Sequence, residues 1–153
     1  MSNTYTQIHL QFIFAVKYRK AQISPKWKGE LFQYITGIIQ NNGHKLIVIN
    51  GMPDHLHIFV GMRPTQSISK LLQDIKGDSS KWINKNRYTI SKFAWQEGYG
   101  AFSYSKSHMS NVINYINNQE MHNAKKSLKE EYIDFLKRFD IEYNEEYIFQ
   151  DLE

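Results

Sequence analysis

Between positions 8 and 16 the apolar residues Ile8, Leu10, Phe12, Phe14 and Val16 fall on every second position. That period predicts a half-buried strand and turns His9 to its opposite face. Ser24-Pro25 then reads as an N-cap followed by proline at the first helical position, and the helix runs through Leu31, Ile35, Ile38 and Ile39 until Gly43 stops it. Residues 45–50 and 55–60 read as two strands, and the short turn Gly51-Met52-Pro53-Asp54 between them predicts an antiparallel hairpin.

A second helix is predicted over 65–86, with Ile68, Leu71, Leu72, Ile75 and Trp82 on its inner side and Gly77 weakening its middle. Residues 93–96 and 101–105 read as short strands around Glu97-Gly98-Tyr99-Gly100. Ser107 is the expected cap of a third helix reaching His122, and Ser127-x-x-Glu130 is a capping box that opens a fourth. The order β-α-β-β-α-β followed by helices is the ferredoxin-like split β-α-β arrangement, an α+β fold with an antiparallel sheet, helices on one side and a helical C-terminal extension. No repeat or linker interrupts it, so 1–153 is expected to be one domain ending in an acidic extension over 125–153.

Composition sharpens this. There is no cysteine among the 153 residues, which removes disulfides and thiolate metal sites, so any metal must sit on nitrogen and oxygen ligands. No apolar run approaches the length of a membrane span, and Met1-Ser2-Asn3-Thr4 does not open a secretory signal, so a cytoplasmic location is expected. The net charge of +4 conceals a division. Residues 1–129 carry 17 Lys/Arg against 6 Asp/Glu, whereas residues 130–153 carry 2 against 9. A body this basic suits a polyanion such as nucleic acid; an acidic tail folded back onto a well-solvated surface accounts for the same numbers.

His55 and His57 are two apart on the third predicted strand, so both imidazoles leave one face while Leu56, Ile58 and Val60 take the other. Such a pair suits a metal, or else a hydrogen-bonded or surface position. On the third helix Met109, Val112, Ile113 and Ile116 form the core stripe. Tyr115 and Gln119 lie off that stripe and one turn apart, about 6 Å along a flank. A tyrosine there can be a nucleophile and the glutamine oxygen a hard-metal ligand; a tyrosine packed at the domain edge gives the same pattern.

Pro53-Asp54-His55-Leu56-His57, then Gly98-Tyr99-Gly100-Ala101-Phe102-Ser103, then Tyr115-Ile116-Asn117-Asn118-Gln119 follow the motif order of the single-tyrosine HUH transposases of small insertion sequences (the IS200-like family), where HUH means His-hydrophobe-His. The resemblance extends to the ending between Glu131-Tyr132 and Glu146-Tyr147. It implies that His55, His57 and Gln119 hold a divalent metal, Mg²⁺ or Mn²⁺, and that Tyr115 is the nucleophile. It further implies cleavage and rejoining of single-stranded DNA at hairpin-bearing transposon ends, through a 5′-phosphotyrosine and a free 3′-OH. Such enzymes are commonly homodimers in which the tyrosine helix completes the partner's active site. The residue types suit this chemistry: a phenol of pKa about 10 needs help at neutral pH, and two imidazoles with an amide oxygen leave a metal open to water and phosphate. The competing readings are a non-catalytic or domesticated nucleic-acid-binding module on the same fold, and a metal-dependent hydrolase that uses water.

The remaining histidines His9, His44, His108 and His122 read as structural. Asp54 is either an orienting partner of a ligand histidine or a turn residue after proline. Arg63, Lys70, Lys76, Lys81, Lys85, Arg87 and Lys92, with Trp82 and Tyr88 among them, could serve single-stranded DNA or simply form a solvated helix face. Lys106 is a candidate phosphate contact.

Overall fold

The computed structural model describes residues 3–153, the side chain of Asn123 excepted. Four strands, β1 (His9–Ala15), β2 (Lys45–Met52), β3 (His55–Gly61) and β4 (Gly100–Tyr104), form one antiparallel sheet in the order β2-β3-β1-β4. With α1 (Lys28–Asn41) between β1 and β2, and α2 (Ile68–Lys85) between β3 and β4, this is the expected ferredoxin-like α+β fold. None of the described helices is long and apolar enough to cross a membrane.

Alternation divides the sheet. Leu10, Phe12 and Phe14 of β1 and Leu56, Ile58 and Val60 of β3 enter the main core with Leu31, Ile35 and Ile39 of α1 and Leu71, Leu72, Ile75 and Ile83 of α2. The opposite face, expected to lack a helical layer, is covered by α3 (Met109–Asn117), α4 (Gln119–Asn123) and α5 (Leu128–Arg138). The extension folds back because Tyr132, Phe135 and Leu136 form an apolar flank on α5 that must be buried. Its end returns to the exit of β1, where Glu153 N donates to Lys17 O at 2.9 Å and Arg19 N donates to Glu153 O at 2.8 Å.

Several local expectations shift. Ser24 does organise the approach to α1, its carbonyl accepting from Trp27 N and Lys28 N, but this is a turn and the helix proper begins at Lys28. Ser67 caps α2 by accepting from Lys70 N at 3.1 Å, so that helix starts three residues later than predicted and runs unbroken through Gly77. Its Trp82 is half-buried and stacks on Tyr34, while Ser79 takes the inner position and accepts from Trp95 Nε1 at 3.0 Å. Residues 93–96 form only a single bridge, Trp95 to Val16, with Phe93 and Trp95 plugging the core. Ser127 Oγ accepts from Glu130 N, as the capping box requires.

The predicted third helix is cut in two at Asn118. The Asn50 amide of β2 donates to Ile116 O at 2.8 Å, and Asn118 Nδ2 donates to Asn114 O at 2.8 Å. Side-chain amides thus take carbonyls that a continuing helix would use, and the ladder restarts with Met121 N donating to Asn118 O. The β2–β3 hairpin is tighter than expected, with strand as far as Met52. A Cβ at Gly51 would lie 2.4 Å from His55 O and 2.6 Å from Leu56 Cδ2, so only glycine allows this approach.

Candidate metal centre and nucleophile

The β3 register puts His55 and His57 on the face covered by α3–α5, and both are fully enclosed. Each ring is held through Nδ1. His55 Nδ1 lies 2.7 Å from Asp54 Oδ1, and His57 Nδ1 lies 2.8 Å from Gln11 Oε1. Gln11 is itself oriented, since its Nε2 donates to Tyr104 Oη at 2.9 Å. Both partners are acceptors, so each Nδ1 carries a proton and donates. In the neutral rings, both Nε2 atoms are therefore lone pairs.

Those lone pairs face oxygen. Gln119 Oε1 lies 3.1 Å from His55 Nε2, with its amide nitrogen turned to Tyr115 O at 3.4 Å. Glu131 Oε1, from α5, lies 3.1 Å from His57 Nε2. That second approach is close without being aligned as a hydrogen bond: His57 Nε2 and Glu131 Oε2 are both buried with no hydrogen-bond partner among the described residues. Ligand atoms of His55, His57 and Glu131 all lie within 4.8 Å of one another. Four electron-rich side chains converging in a buried pocket repel one another unless a cation stands between them. The donor set, two imidazoles with an amide and a carboxylate oxygen, fits a divalent ion.

Protonation agrees with this. Burial holds His57 below its ordinary pKa despite the carboxylate beside it, so the ring stays neutral near pH 7. Burial works against ionisation of Glu131, while the Tyr115 hydroxyl that donates to it favours the carboxylate. The neutral His57 is the firmer of the two, because its Nδ1 proton is already committed to Gln11. Asp54 is likewise held ionised, its partial burial overcome by the contact with His55. Asp54 is thus a hydrogen-bond partner that fixes the His55 ring, besides ending the turn after Pro53.

Tyr115 is half-buried above the histidines of its own chain. Its ring meets His57 edge-on at 5.9 Å, stacks on His122 at 4.5 Å, and its hydroxyl donates to Glu131 Oε1. Burial, followed by the bond to Glu131, pushes the phenol pKa up, so this arrangement keeps the hydroxyl protonated. All four residues expected at the site, His55, His57, Tyr115 and Gln119, are thus brought together within one chain.

Gln11, Glu131 and the ring of His122 are the parts that sequence reasoning missed. Glu131 did leave a signal: along Leu128, Tyr132, Phe135 and Leu136 it occupies the i+3 position of an otherwise apolar stripe. Elsewhere the expectations divide. His44 is structural, placed between Gln66 Oε1 and Arg63 N. Lys76 is tethered to Gln96 O and Gly98 O, and Lys70 pairs with Asp74. Arg63, Lys81, Lys85, Arg87, Lys92 and Lys106 are exposed.

The sequence profile "Transposase IS200 like" matches residues 4–119. ISDra2 transposase TnpA of Deinococcus radiodurans is 29% identical over 75 residues, a match spanning 49% of this chain and about half of that relative, 54%. Among solved structures, one assigned as a transposase from Deinococcus radiodurans R1 superposes with a TM-score of 0.61 at 22% identity, covering 78% of this chain and 95% of that one. A REP-associated tyrosine transposase bound to a REP hairpin superposes with a TM-score of 0.60 at 13% identity, covering 100% of this chain and 93% of that one. The profile match spans most of the chain, and the chain belongs to the IS200-like transposase family.

Proposed function

We propose that the protein is a DNA transposase that cuts and rejoins single-stranded DNA, with Tyr115 as nucleophile and His55, His57, Gln119 and Glu131 as the residues that hold a divalent metal, Mg²⁺ or Mn²⁺. The single observation that carries this reading is the placement of the Tyr115 hydroxyl on Glu131, the carboxylate that also faces His57 Nε2. Family membership and the matching motifs support it.

In this reading Asp54 and Gln11 fix the ring orientations, so that both Nε2 lone pairs point inward. A divalent ion bound there would polarise the scissile phosphate and stabilise the departing 3′ oxygen. Tyr115 Oη forms a bond to phosphorus as the P–O3′ bond breaks. The phenol's proton ends on solvent and the released 3′ oxygen becomes a hydroxyl. The downstream 5′ phosphate stays on Tyr115 until another 3′-OH attacks and restores the phenol, so no ATP is needed. The basic surface, with 17 Lys/Arg in residues 1–129, supplies strand affinity. A hairpin-bearing DNA end is the expected substrate, by analogy with the hairpin-bound neighbour.

The same reading includes a homodimer with shared active sites. Among the described residues β2 and β4 are the outer strands of the sheet, so each offers an edge for pairing. Because Tyr115 stands over its own chain's histidines, sharing requires two-fold partners to exchange the segment carrying α3 and α4.

The test is a hairpin oligonucleotide with a single-stranded extension, labelled at either end and incubated with Mn²⁺. The 3′-terminal label should become attached to protein while the 5′ label leaves on a free fragment. Attachment of the 5′ label would reverse the polarity, and cleavage without attachment would mean that water is the nucleophile.

A further inference from the structure

Beside Tyr115 lies a cavity of about 610 Å³, enclosed by β4, the start of α3 and the end of α5. Tyr115 and Gln11 are part of its lining, so it opens directly onto the proposed nucleophile. Its walls include Tyr104 and Phe139, which meet edge-on at 5.6 Å, with the hydroxyl of Tyr104 fixed by Gln11. Asn111, exposed and one helical turn before Tyr115, lies on its rim. Arg138, exposed at the end of α5, has no ion-pair partner among the described residues. On the far side of Tyr115 a second cavity of about 350 Å³ shares Tyr115, Phe135 and Arg138 and adds His122, Lys125 and Lys126 together with the carboxylates Glu131 and Asp134, the last paired with Lys126.

We propose that the first cavity receives one unstacked nucleotide of the cut strand, its base against Tyr104 and Phe139 and its phosphate at Arg138, with the strand continuing past Tyr115 into the second cavity. The proposal rests on the single-stranded DNA reading above and names where the nucleotide next to the scissile phosphate is held. Three features favour this occupant. The volume lies within the range of about 300–1,000 Å³ usual for small-ligand sites. Aromatic walls with an amide on the rim suit the flat, polar-edged face of a base. A guanidinium that rests over the Phe135 ring at 5.5 Å, with no carboxylate partner among the described residues, suits a phosphate at the mouth. A base seated here also selects for unpaired DNA, because a base in a duplex cannot leave its stack without cost.

The experiment uses the full chain carrying Tyr115→Phe, so that binding is read without reaction. The probe is a thymidine nonamer with 2-aminopurine at its centre, whose emission is quenched when the base stacks. Quenching is expected, with Phe139→Ala and Asn111→Trp each weakening binding roughly 5- to 100-fold and abolishing the quench. Arg138→Gln should weaken binding and lower the salt slope by about one. Asn111→Trp fills the cavity from an exposed helical position, so it guards against Phe139→Ala simply unfolding the protein. If Asn111→Trp and a folded Phe139→Ala both bind and quench as the parent does, the proposal is overturned. Adduct formation by the chain with Tyr115 intact is scored separately. Adducts with an indifferent cavity would sink this inference alone, whereas quenching that depends on Phe139 without any adduct would sink the cutting reading alone.

Discussion

Glu131 Oε1 stands 3.1 Å from His57 Nε2 and also accepts the Tyr115 hydroxyl, so one carboxylate from the C-terminal extension joins the candidate metal ligands to the candidate nucleophile. Its helix carries that carboxylate onto the face of the sheet that presents the two histidines.

Replacing Glu131 by Gln should separate metal binding from folding. Without metal, a glutamine amide can donate to the His57 Nε2 lone pair and still accept from Tyr115, so E131Q should melt no lower than wild type. With Mn²⁺, wild type should gain stability and E131Q much less, since a ligand present at 100 times its Kd stabilises by about 2.7 kcal/mol. Thermal melts with and without Mn²⁺ measure both. Equal gains would remove Glu131 from the ligand set.

The partners of the histidines should matter nearly as much as the histidines. Asp54→Ala and Gln11→Leu each release one ring from its fixed orientation, and each should weaken Mn²⁺ binding about 10–100-fold, read by titration calorimetry. His57→Ala should abolish it.

Two glycines are predicted to be intolerant for steric reasons. At Gly51 a Cβ would meet His55 O, and at Gly100 it would meet Tyr132 Cε1 at 2.6 Å and its hydroxyl at 2.9 Å. Gly51→Ala and Gly100→Ala should each cost about 1–3 kcal/mol, measured by urea unfolding. Gly77→Ala, where a Cβ meets nothing within 4 Å in the middle of α2, should instead stabilise the protein by about 0.4–1 kcal/mol.

A complementation assay addresses the shared site. Tyr115→Phe and His57→Ala are each expected to be inactive. Mixed subunits that exchange α3–α4 should regain up to about a quarter of wild-type adduct formation, because that share of sites pairs an intact tyrosine with intact histidines. No recovery in mixed dimers would mean that each chain completes its own site.

Much of this was legible in the sequence because β-strand period and helix stripe are local signals. The alternation in β1 and β3 separated core from site, and His55 and His57 were placed on one face by spacing alone. What escaped depended on contacts distant in sequence. Asn50 cuts the Tyr115 helix through carbonyls 66 and 67 positions away. Gln11 reaches His57 only because β1 lies beside β3. Trp82 looked like core by helical period, yet stacking on Tyr34 leaves it half-buried while Ser79 turns inward. Gly100 read as loop between two short strands; it is a buried strand position pressed against Tyr132. The capping box located α5, but only its return across the sheet makes Glu131 part of the site.

The proposed function stands on covalent attachment of Tyr115 to DNA. Intact-mass and peptide mass spectrometry after incubation with a single-stranded hairpin oligonucleotide and Mn²⁺ tests it most directly. One DNA fragment should be linked through its 5′ phosphate to the peptide bearing Tyr115, and it should be absent with chelator, with duplex substrate or in Tyr115→Phe. An adduct that persists in Tyr115→Phe, or cleavage with no adduct at all, would contradict that function.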